Sequence, residues 1–193
     1  MENKLLLIID PQIDFITGTL PVPGAEIAMN ALSEYMRMKS HEYAHIIVTA
    51  DRHPMRHCSF KPEGGEWPVH CVSDSVGAAI WDAIMDELLH VADKTTVLHK
   101  GENPETEEYS IFKNKNASKR ILHIIDEKNI RQIDICGIAG DVCVADTIRD
   151  WMSFEKESGM LTEKIKLNVL VKFTPSIDEG KTLYHLISKY NLP

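Results

Sequence analysis

The alternation of strand-like and helix-like patterns constrains the fold of this chain most strongly. Short apolar runs, typical of buried strands, occupy residues 4–9, 45–49, 95–98, 132–136 and 167–171. Between them, apolar residues recur at helical spacing, as in residues 76–88 and in the stretch after Cys143. Strands that alternate with helices form parallel sheets covered on both faces. The sequence therefore predicts an α/β fold, a doubly wound three-layer sandwich with a mostly parallel sheet of five or six strands.

Size and charge narrow the class of protein. A chain of 193 residues predicts one domain, residues 1–193, and its net charge of −8 without a basic cluster predicts no nucleic-acid partner. No apolar run approaches the roughly 20 residues of a membrane span, and the N-terminus lacks a signal peptide's cleavage region. None of the four cysteines forms a CxxC pair. We therefore expect free thiols in a reducing cytoplasm and no membrane partner.

Cys143 stands at the boundary between a predicted strand and a predicted helix. A glycine-containing turn follows the run 132–136, and helical spacing begins near Cys143. At a helix start, the dipole and the free backbone N–H groups favour a thiolate, and the same N–H groups can hold an oxyanion. One interpretation is a catalytic nucleophile. The other is a small buried apolar side chain, which is what most free cysteines are.

Ionisable side chains follow four of the predicted strands. Asp10 follows the first, Asp51 and His53 the second, Lys100 the third and Cys143 the fourth. In open parallel sheets, ligands bind outside the carboxyl ends of the strands, so we expect these groups to meet at one edge. Asp10 can then take the thiol proton while Lys100 stabilises the anionic pair. Taken singly, Asp10 also fits a turn cap and Lys100 a solvated surface residue.

A second group of polar residues has the composition of a metal site. Asp51 and His53 are followed by His57 and His70 within a long aperiodic loop. One carboxylate with two or more imidazoles suits Zn²⁺, Fe²⁺ or Mn²⁺. Glu63 is a candidate outer ligand. A loop cap and surface histidines are the alternative interpretation, although unstructured loops of this length in a compact domain are usually functional.

Six blocks of sequence carry a resemblance to a known family. They are LIIDPQIDF at residues 7–15, DRHP at 51–54, HCSF at 57–60, WPVHC at 67–71, KG at 100–101 and GIAGDVCV at 137–144. In order and spacing, these blocks resemble the isochorismatase-like cysteine hydrolases, and most closely the nicotinamidases (pyrazinamidases) of that family, over nearly the whole chain. The WPVHC block and the Asp-x-His pair are typical of the branch that binds a metal.

The resemblance implies a role for each candidate residue. It implies a catalytic triad, a divalent metal site with Zn²⁺ as the expected ion and Fe²⁺ or Mn²⁺ as alternatives, and a cis peptide before Ala139. It also implies an oxyanion hole and a substrate pocket with an aromatic clamp. The triad is Cys143, Asp10 and Lys100; the metal ligands are Asp51, His53 and His70; the oxyanion hole is formed by the N–H groups of Ala139 and Cys143; the pocket contains Phe15, Trp67, Tyr109 and Ile138.

The activity that the resemblance implies is hydrolysis of nicotinamide to nicotinate and ammonia through a Cys143 thioester, with nicotinamide as the small-molecule partner. Members of the family often assemble, so we expect a homo-oligomer. They usually carry a sixth strand after the last helix, whereas this chain stops at Pro193. The alternatives are a related cysteine amidase acting on an N-carbamoyl or ureido substrate, and a non-catalytic binding protein of this fold. Isochorismate hydrolysis needs no cysteine nucleophile, so Cys143 argues against it.

Overall fold

The computed structural model describes residues 3–158 and 165–193, with the side chains of all of these except residues 155–158. The strands are β1 (Asn3–Ile9), β2 (Tyr43–Asp51), β3 (Thr95–Lys100), β4 (Ile130–Gly137) and β5 (Lys166–Val169). The α-helices are α1 (Ile13–Ile16), α2 (Ala25–Lys39), α3 (Asp82–His90), α4 (Lys115–Glu127), α5 (Cys143–Ser158) and α6 (Lys181–Tyr190). Within these ranges, no helix combines the length and the apolar character needed to cross a membrane.

The strands form one parallel sheet in the order β3-β2-β1-β4-β5. β1 lies at its centre, where Ile8 is paired with Val48 on one side and with Cys136 on the other. The strand order reverses between β1 and β4. In doubly wound sheets, the crevice at such a reversal is where ligands bind. The topology therefore predicts a ligand site beside the residues that follow β1 and β4.

Helices cover both faces of the sheet, as the apolar pattern predicts. Successive side chains of a strand point to opposite faces. Leu6 of β1 is accordingly buried in one cluster with Leu32 of α2 and Ile84 of α3. Leu7 is buried in a second cluster, with Ile148 of α5 and with side chains of α4 and α6. Each fully buried Leu or Ile contributes about 1.5–3 kcal/mol, so the two faces of β1 anchor the three layers.

The helix predicted over residues 76–88 is interrupted, which corrects the expectation from its apolar period. A 3₁₀ turn covers Val76–Ala78, and α3 begins only at Asp82. Between them, the carbonyl oxygen of Ala79 accepts the N–H of Ile13 at 3.0 Å. A continuous helix would use that carbonyl for itself. Here a tertiary hydrogen bond from the chain after β1 overrides the local pattern.

The end of the sheet also differs from the simplest reading of the sequence. The run over residues 167–171 is extended only as far as Val169, because Leu170 adopts φ −80° and ψ 73° and a 3₁₀ turn begins at Val171. In the part of the chain that is described, no strand follows α6. The described sheet has five strands, the smaller of the two sizes predicted.

Candidate active site

The carboxyl ends of four parallel strands bring the predicted triad residues and Asp51 together. Asp10 directly follows β1, Asp51 and Lys100 are the last residues of β2 and β3, and Cys143 is the first residue of α5, after β4. Asp51 and Lys100 are also direct partners in the register of β2 and β3. Because parallel strands end at the same edge of a sheet, register alone places this chemistry in one location.

Lys100 lies at the centre of this group. Its side chain is 1% exposed, and its Nζ lies 2.9 Å from Asp10 Oδ2, 2.6 Å from Asp51 Oδ1 and 3.7 Å from Cys143 Sγ. Burial disfavours the ammonium, but the two carboxylates outweigh it and raise the pKa of Lys100 well above its usual value. Lys100 is therefore a fixed positive charge between the thiol and both carboxylates.

The two carboxylate oxygens of Asp10 have different environments. Oδ1 accepts the hydroxyl of Thr49 at 2.6 Å. Oδ2 has Lys100 as an ion-pair partner at 2.9 Å, but no aligned hydrogen-bond donor within the described ranges. Burial raises the pKa of Asp10, and Asp51 adds to this effect, while Lys100 opposes it. Asp10, Asp51 and Cys143 each offer an atom within 4.8 Å of the others, so a carboxylate oxygen of Asp10 lies close to the thiol.

The burial of Cys143 acts against the effect expected from its position at a helix start. The thiol is buried, with 7% of the residue exposed. Burial raises the pKa of Cys143 well above its usual value; Lys100 lowers it, and the carboxylates of Asp10 and Asp51 raise it further. Burial thus opposes the thiolate that the helix start favours. A nearby base is therefore needed for reaction at sulfur.

The turn between β4 and α5 presents a backbone N–H beside the thiol. The Ile138–Ala139 peptide is cis, as expected. The carbonyl oxygen of Ala139 accepts the N–H groups of Val142 and Val144, each at 3.1 Å, and the Cys143 N–H between them is not bonded to it. The first N–H groups of a helix have no acceptor within the helix. The N–H of Cys143 is therefore placed to interact with an anionic oxygen.

Asp51, His53 and His70 form a second buried group, in which one ligand atom of each lies within 4.8 Å of the others. Nδ1 of His53 lies 2.9 Å from the carbonyl oxygen of Gly101, and Nδ1 of His70 lies 2.7 Å from that of Pro68. Because a carbonyl oxygen only accepts, each Nδ1 carries the proton and each Nε2 keeps its lone pair. Two such nitrogens with one carboxylate oxygen fit a divalent metal ion.

Burial keeps both imidazoles neutral, which is the state that binds metals. It lowers the pKa of His53 to about 3 and also lowers the pKa of His70. Asp51 joins the two groups, because its Oδ2 lies 3.7 Å from Nε2 of His53 while its Oδ1 contacts Lys100. Gly101 permits this packing: its φ is +71°, and a Cβ there would lie 2.4 Å from Cε1 of His53.

The structure does not bring the two further candidate ligands into this group. Nδ1 of His57 lies 2.7 Å from Ser59 Oγ and its Nε2 lies 3.2 Å from a backbone carbonyl oxygen, so protein atoms occupy both ring nitrogens. The ring of His57 instead packs on His53, with centroids 4.1 Å apart. Glu63 forms two hydrogen bonds with Arg56, at 2.8 and 3.0 Å. Both candidates are thus engaged outside the three-residue donor group.

A pocket of about 410 Å³, measured with its open mouth, adjoins both groups. The three predicted aromatic residues line it. Nε1 of Trp67 donates to the hydroxyl of Tyr109 at 2.9 Å, which ties two of them together. The ring of Phe15 lies 5.5 Å from that of His70, next to the metal-type donors. The remaining predicted residues in the lining are Asp51, His70, Ala139 and Cys143.

Ile138 does not line this pocket, contrary to expectation. It is 1% exposed and belongs to the apolar cluster on the α2 side of the sheet. Its N–H donates to the carbonyl oxygen of Ile9 at 2.8 Å and so continues the pairing of β1 and β4. Because the backbone of Ile138 continues the sheet, its side chain packs into the core.

Five residues of the pocket lining are absent from the sequence-based candidates. Burial, with the charge of Asp51, raises the pKa of one of them, Glu107. Its position two residues before Tyr109 was the only signal that pointed to it. The other four are apolar residues that no local motif distinguishes from ordinary core: Leu20, Val22, Val142 and Ile177.

Comparison with known proteins agrees with this geometry. Residues 4–154 match the model of the isochorismatase domain. The chain is 31% identical to the nicotinamidase of Saccharomyces cerevisiae over 172 residues, which cover 75% of this chain and 79% of that protein. It is 29% identical to the nicotinamidase/pyrazinamidase of Mycobacterium tuberculosis over 185 residues, which cover 93% of this chain and 90% of that protein.

Solved structures show the same likeness. The pyrazinamidase of Pyrococcus horikoshii in complex with zinc superposes with a TM-score of 0.75 at 26% identity, covering 97% of this chain and 96% of that chain. The yeast nicotinamidase bound to the inhibitor nicotinaldehyde superposes with a TM-score of 0.77 at 25% identity, covering 98% and 97%. Sequence and structure agree over most of the length of both partners. The chain therefore belongs to the isochorismatase domain family.

Proposed function

We propose that this protein is a nicotinamidase, which hydrolyses the carboxamide of nicotinamide to nicotinate and ammonia. The observation that carries the proposal is a single buried ammonium, Lys100, whose Nζ lies 2.6 Å from Asp51 of the metal-type donor group and 3.7 Å from Cys143 Sγ. The thiol and two members of the metal-type donor set thus line one pocket, and the buried base Asp10 lies beside the thiol. The relatives that carry the name nicotinamidase, and the yeast structure that contains nicotinaldehyde, support the same substrate.

The pocket suits a flat aromatic carboxamide. The aromatic side chains in its wall can stack on a pyridine ring. We assign Asp51, His53 and His70 to a divalent ion, expected to be Zn²⁺, which when bound would orient the substrate through its ring nitrogen. The carboxamide is then directed to the part of the pocket lined by Ala139 and Cys143.

Cys143 acts as the nucleophile in the first half of the reaction. The proton of Sγ moves to Oδ2 of Asp10, and the thiolate attacks the amide carbon. The amide oxygen becomes an oxyanion and accepts the N–H groups of Ala139 and Cys143, each of which is worth about 3 kcal/mol in such sites. Lys100 stays protonated and stabilises whichever of Cys143 and Asp10 is ionised.

Asp10 transfers the protons of the second half. It returns its proton to the amide nitrogen, the C–N bond breaks, ammonia leaves and a thioester remains on Cys143. The carboxylate of Asp10 then takes a proton from a water molecule that attacks the thioester carbon. The C–S bond breaks, the sulfur regains the proton from Asp10, and the product leaves as the acid, which gives its remaining proton to the solvent and becomes nicotinate.

The test is ammonia release from nicotinamide by the purified, metal-loaded protein, with metal content measured on the same sample. We expect turnover in the wild type and none in Cys143→Ala. Cys58→Ala is the matched control, because Cys58 is a partly buried free cysteine that does not line the pocket, and it should retain activity. Turnover by Cys143→Ala above background would exclude the thioester mechanism. A folded, metal-loaded wild type without turnover would exclude nicotinamide, and N-carbamoyl and ureido compounds would then be assayed.

A further inference from the structure

Two loops at the same edge of the sheet are joined beside the pocket. One is the turn that carries the nucleophile, and the other is the stretch after β5, residues 174–178, here called the 174–178 segment. The N–H of Gly140 in the turn donates to the carbonyl oxygen of Pro175 at 2.8 Å. A Cβ on Gly140 would lie 2.3 Å from Ser176 Oγ. The two loops therefore touch without space for an intervening side chain.

Asp141 makes the most directional contact of this junction. Its Oδ1 accepts the N–H of Ile177 and its Oδ2 accepts the N–H of Asp178, both at 3.0 Å. Hydrogen bonds to a charged acceptor are stronger than those between neutral groups. One carboxylate, two residues before the nucleophile Cys143, thereby fixes two consecutive backbone groups of the 174–178 segment.

Ile177 is the residue that the junction places in the pocket wall. Its side chain lines the same pocket as Cys143, and it is 44% exposed, so it stands at the mouth. It follows β5, whereas the triad residues are carried at the ends of β1 and β3 and after β4. Three further residues of the lining have branched aliphatic side chains: Leu20, Val22 and Val142. These four aliphatic residues of the lining are here called the apolar wall.

The shape of nicotinamide determines which ring edge meets this wall. The ring nitrogen and the carbon that bears the carboxamide flank carbon 2, and carbon 5 lies directly across the ring from carbon 2. In the proposed orientation, the nitrogen is directed to the side of Asp51 and His70, and the carboxamide is directed to Cys143. Carbon 5 then points away from both groups of polar residues. Of the residues that line the rest of the pocket, Ile177 is the most exposed, so it is the one that stands where a substituent at carbon 5 would leave the pocket.

We propose that Ile177 limits the size of the substituent that a substrate ring can carry at carbon 5, and that Asp141 is the positioning residue that sets this limit. The inference rests on the proposed function, because it takes the orientation of nicotinamide from it. The accepted class is six-membered aromatic carboxamides with hydrogen or a small group at carbon 5. A larger group must displace the side chain of Ile177, and the two hydrogen bonds of Asp141 hold the backbone of the 174–178 segment against that displacement.

The test compares kcat/KM for nicotinamide with kcat/KM for 5-phenylnicotinamide. Ile177→Ala should lower the preference for nicotinamide about tenfold or more, since one to a few methylene groups in a pocket are worth roughly 10- to 200-fold. The change should come mainly through the KM of the substituted amide. Asp141→Asn should shift the preference in the same direction by about threefold, because the amide keeps one acceptor oxygen but its NH₂ cannot accept the second N–H.

Asp178→Asn is the matched control. The carboxylate of Asp178 accepts the N–H groups of Gly180 and Thr182 at the start of α6, at 3.0 and 2.7 Å, and does not contact the nucleophile turn. This variant should lower the melting temperature without changing the preference. The proposal is wrong if Ile177→Ala leaves the preference for nicotinamide unchanged. It is also wrong if Asp141→Asn lowers kcat equally on both amides and leaves that preference unchanged.

Failure of the proposed function has a different signature. If the wild type hydrolyses neither amide, calorimetry of each amide binding to the metal-loaded protein replaces the rate measurement. Tighter binding of nicotinamide than of 5-phenylnicotinamide, with the difference reduced in Ile177→Ala, supports the size limit even without turnover. Equal binding of both amides by the wild type overturns it.

Discussion

The triad and the histidine pair are neighbours, but different parts of the molecule hold them. Asp10, Lys100 and Cys143 stand at the ends of paired strands or at the first residue of the helix that follows one. His53 and His70 stand in the long loop after β2, where each ring is oriented by a backbone carbonyl oxygen, at 2.9 and 2.7 Å. The register of a buried sheet positions the first group, and loop hydrogen bonds position the second.

This difference implies that the two groups can be perturbed separately. A strand end moves only if the sheet does, because interiors are close-packed and respond poorly to small displacements. Loop positions depend on a few hydrogen bonds and open at lower cost. Asp51 belongs to both groups, with one carboxylate oxygen on Lys100 and the other facing His53. Substitutions in the triad should therefore lower the reaction rate without removing the metal, and substitutions of the two histidines should remove the metal.

The largest effect is expected from Asp10→Asn. The amide cannot take the thiol proton, so kcat should fall about 1,000-fold or more, within the range of general acid–base catalysis. Because Asp10 lies outside the group of Asp51, His53 and His70, the metal content should stay at the wild-type level. Steady-state kinetics and metal analysis of one preparation check both statements. Activity within tenfold of the wild type would show that another group accepts the proton.

The second effect separates two histidines of the same loop. His70→Ala removes one of three donor atoms and should weaken metal binding about 100-fold or more. His57→Ala is the matched control, because both ring nitrogens of His57 already contact protein atoms, and its metal content should stay close to the wild-type value. Metal titration by calorimetry measures both. An equal loss in the two variants would place His57 among the ligands.

The third effect concerns the stability of the metal-free protein. The pKa of His53 is about 3 in the folded state and near 6.5 when the ring is unperturbed, so below pH 6.5 the unfolded chain binds a proton that the folded one does not. The free energy of unfolding should therefore fall as the pH falls, by about 2 kcal/mol from this group between pH 7 and pH 5. His53→Gln should reduce this dependence of the unfolding free energy on pH, which urea titrations of chelator-treated protein at several pH values measure. The same pH dependence in the wild type and in His53→Gln would show that His53 is not its source.

The smallest effect is expected at a residue that supports the base. Thr49→Val removes the hydroxyl that donates to Asp10 Oδ1 at 2.6 Å. The expected loss is about tenfold in kcat, roughly 1.5 kcal/mol for a hydrogen bond to a charged group, with KM unchanged. Thr96→Val is the control, since the hydroxyl of Thr96 contacts His45 instead, and kcat should not change. A rise in KM without loss of kcat in Thr49→Val would instead point to a distorted pocket.

The sequence was sufficient for the triad because the rule behind it is general. Strands that alternate with helices must be parallel, and parallel strands end at one edge, so the residues after them converge whatever their details. Asp10, Lys100 and Cys143 could be grouped on that basis alone. Thr49 could not, because its contact with Asp10 depends on how β1 and β2 pair, and no local pattern reports that register.

The loops were less predictable for the same physical reason. His57 and His70 are chemically identical, and only their surroundings separate them: a serine and a backbone carbonyl occupy the nitrogens of His57, while Nε2 of His70 stays available. The break near Ala79 and the inward packing of Ile138 likewise depend on hydrogen bonds to β1 or to the chain that follows it. Such contacts join residues far apart in the chain.

The sequence by itself determined the layers, the parallel sheet and the identity of the groups at its carboxyl edge. Apolar periodicity is a local property, and strands that alternate with helices along the chain pack in a fixed geometry. Only the tertiary structure decided the burial that raises the pKa of Cys143. It also decided which histidines face Asp51 and that Ile177 lines the pocket. Desolvation and long-range hydrogen bonds depend on what surrounds a group in space, and neighbours in space are not neighbours in the chain.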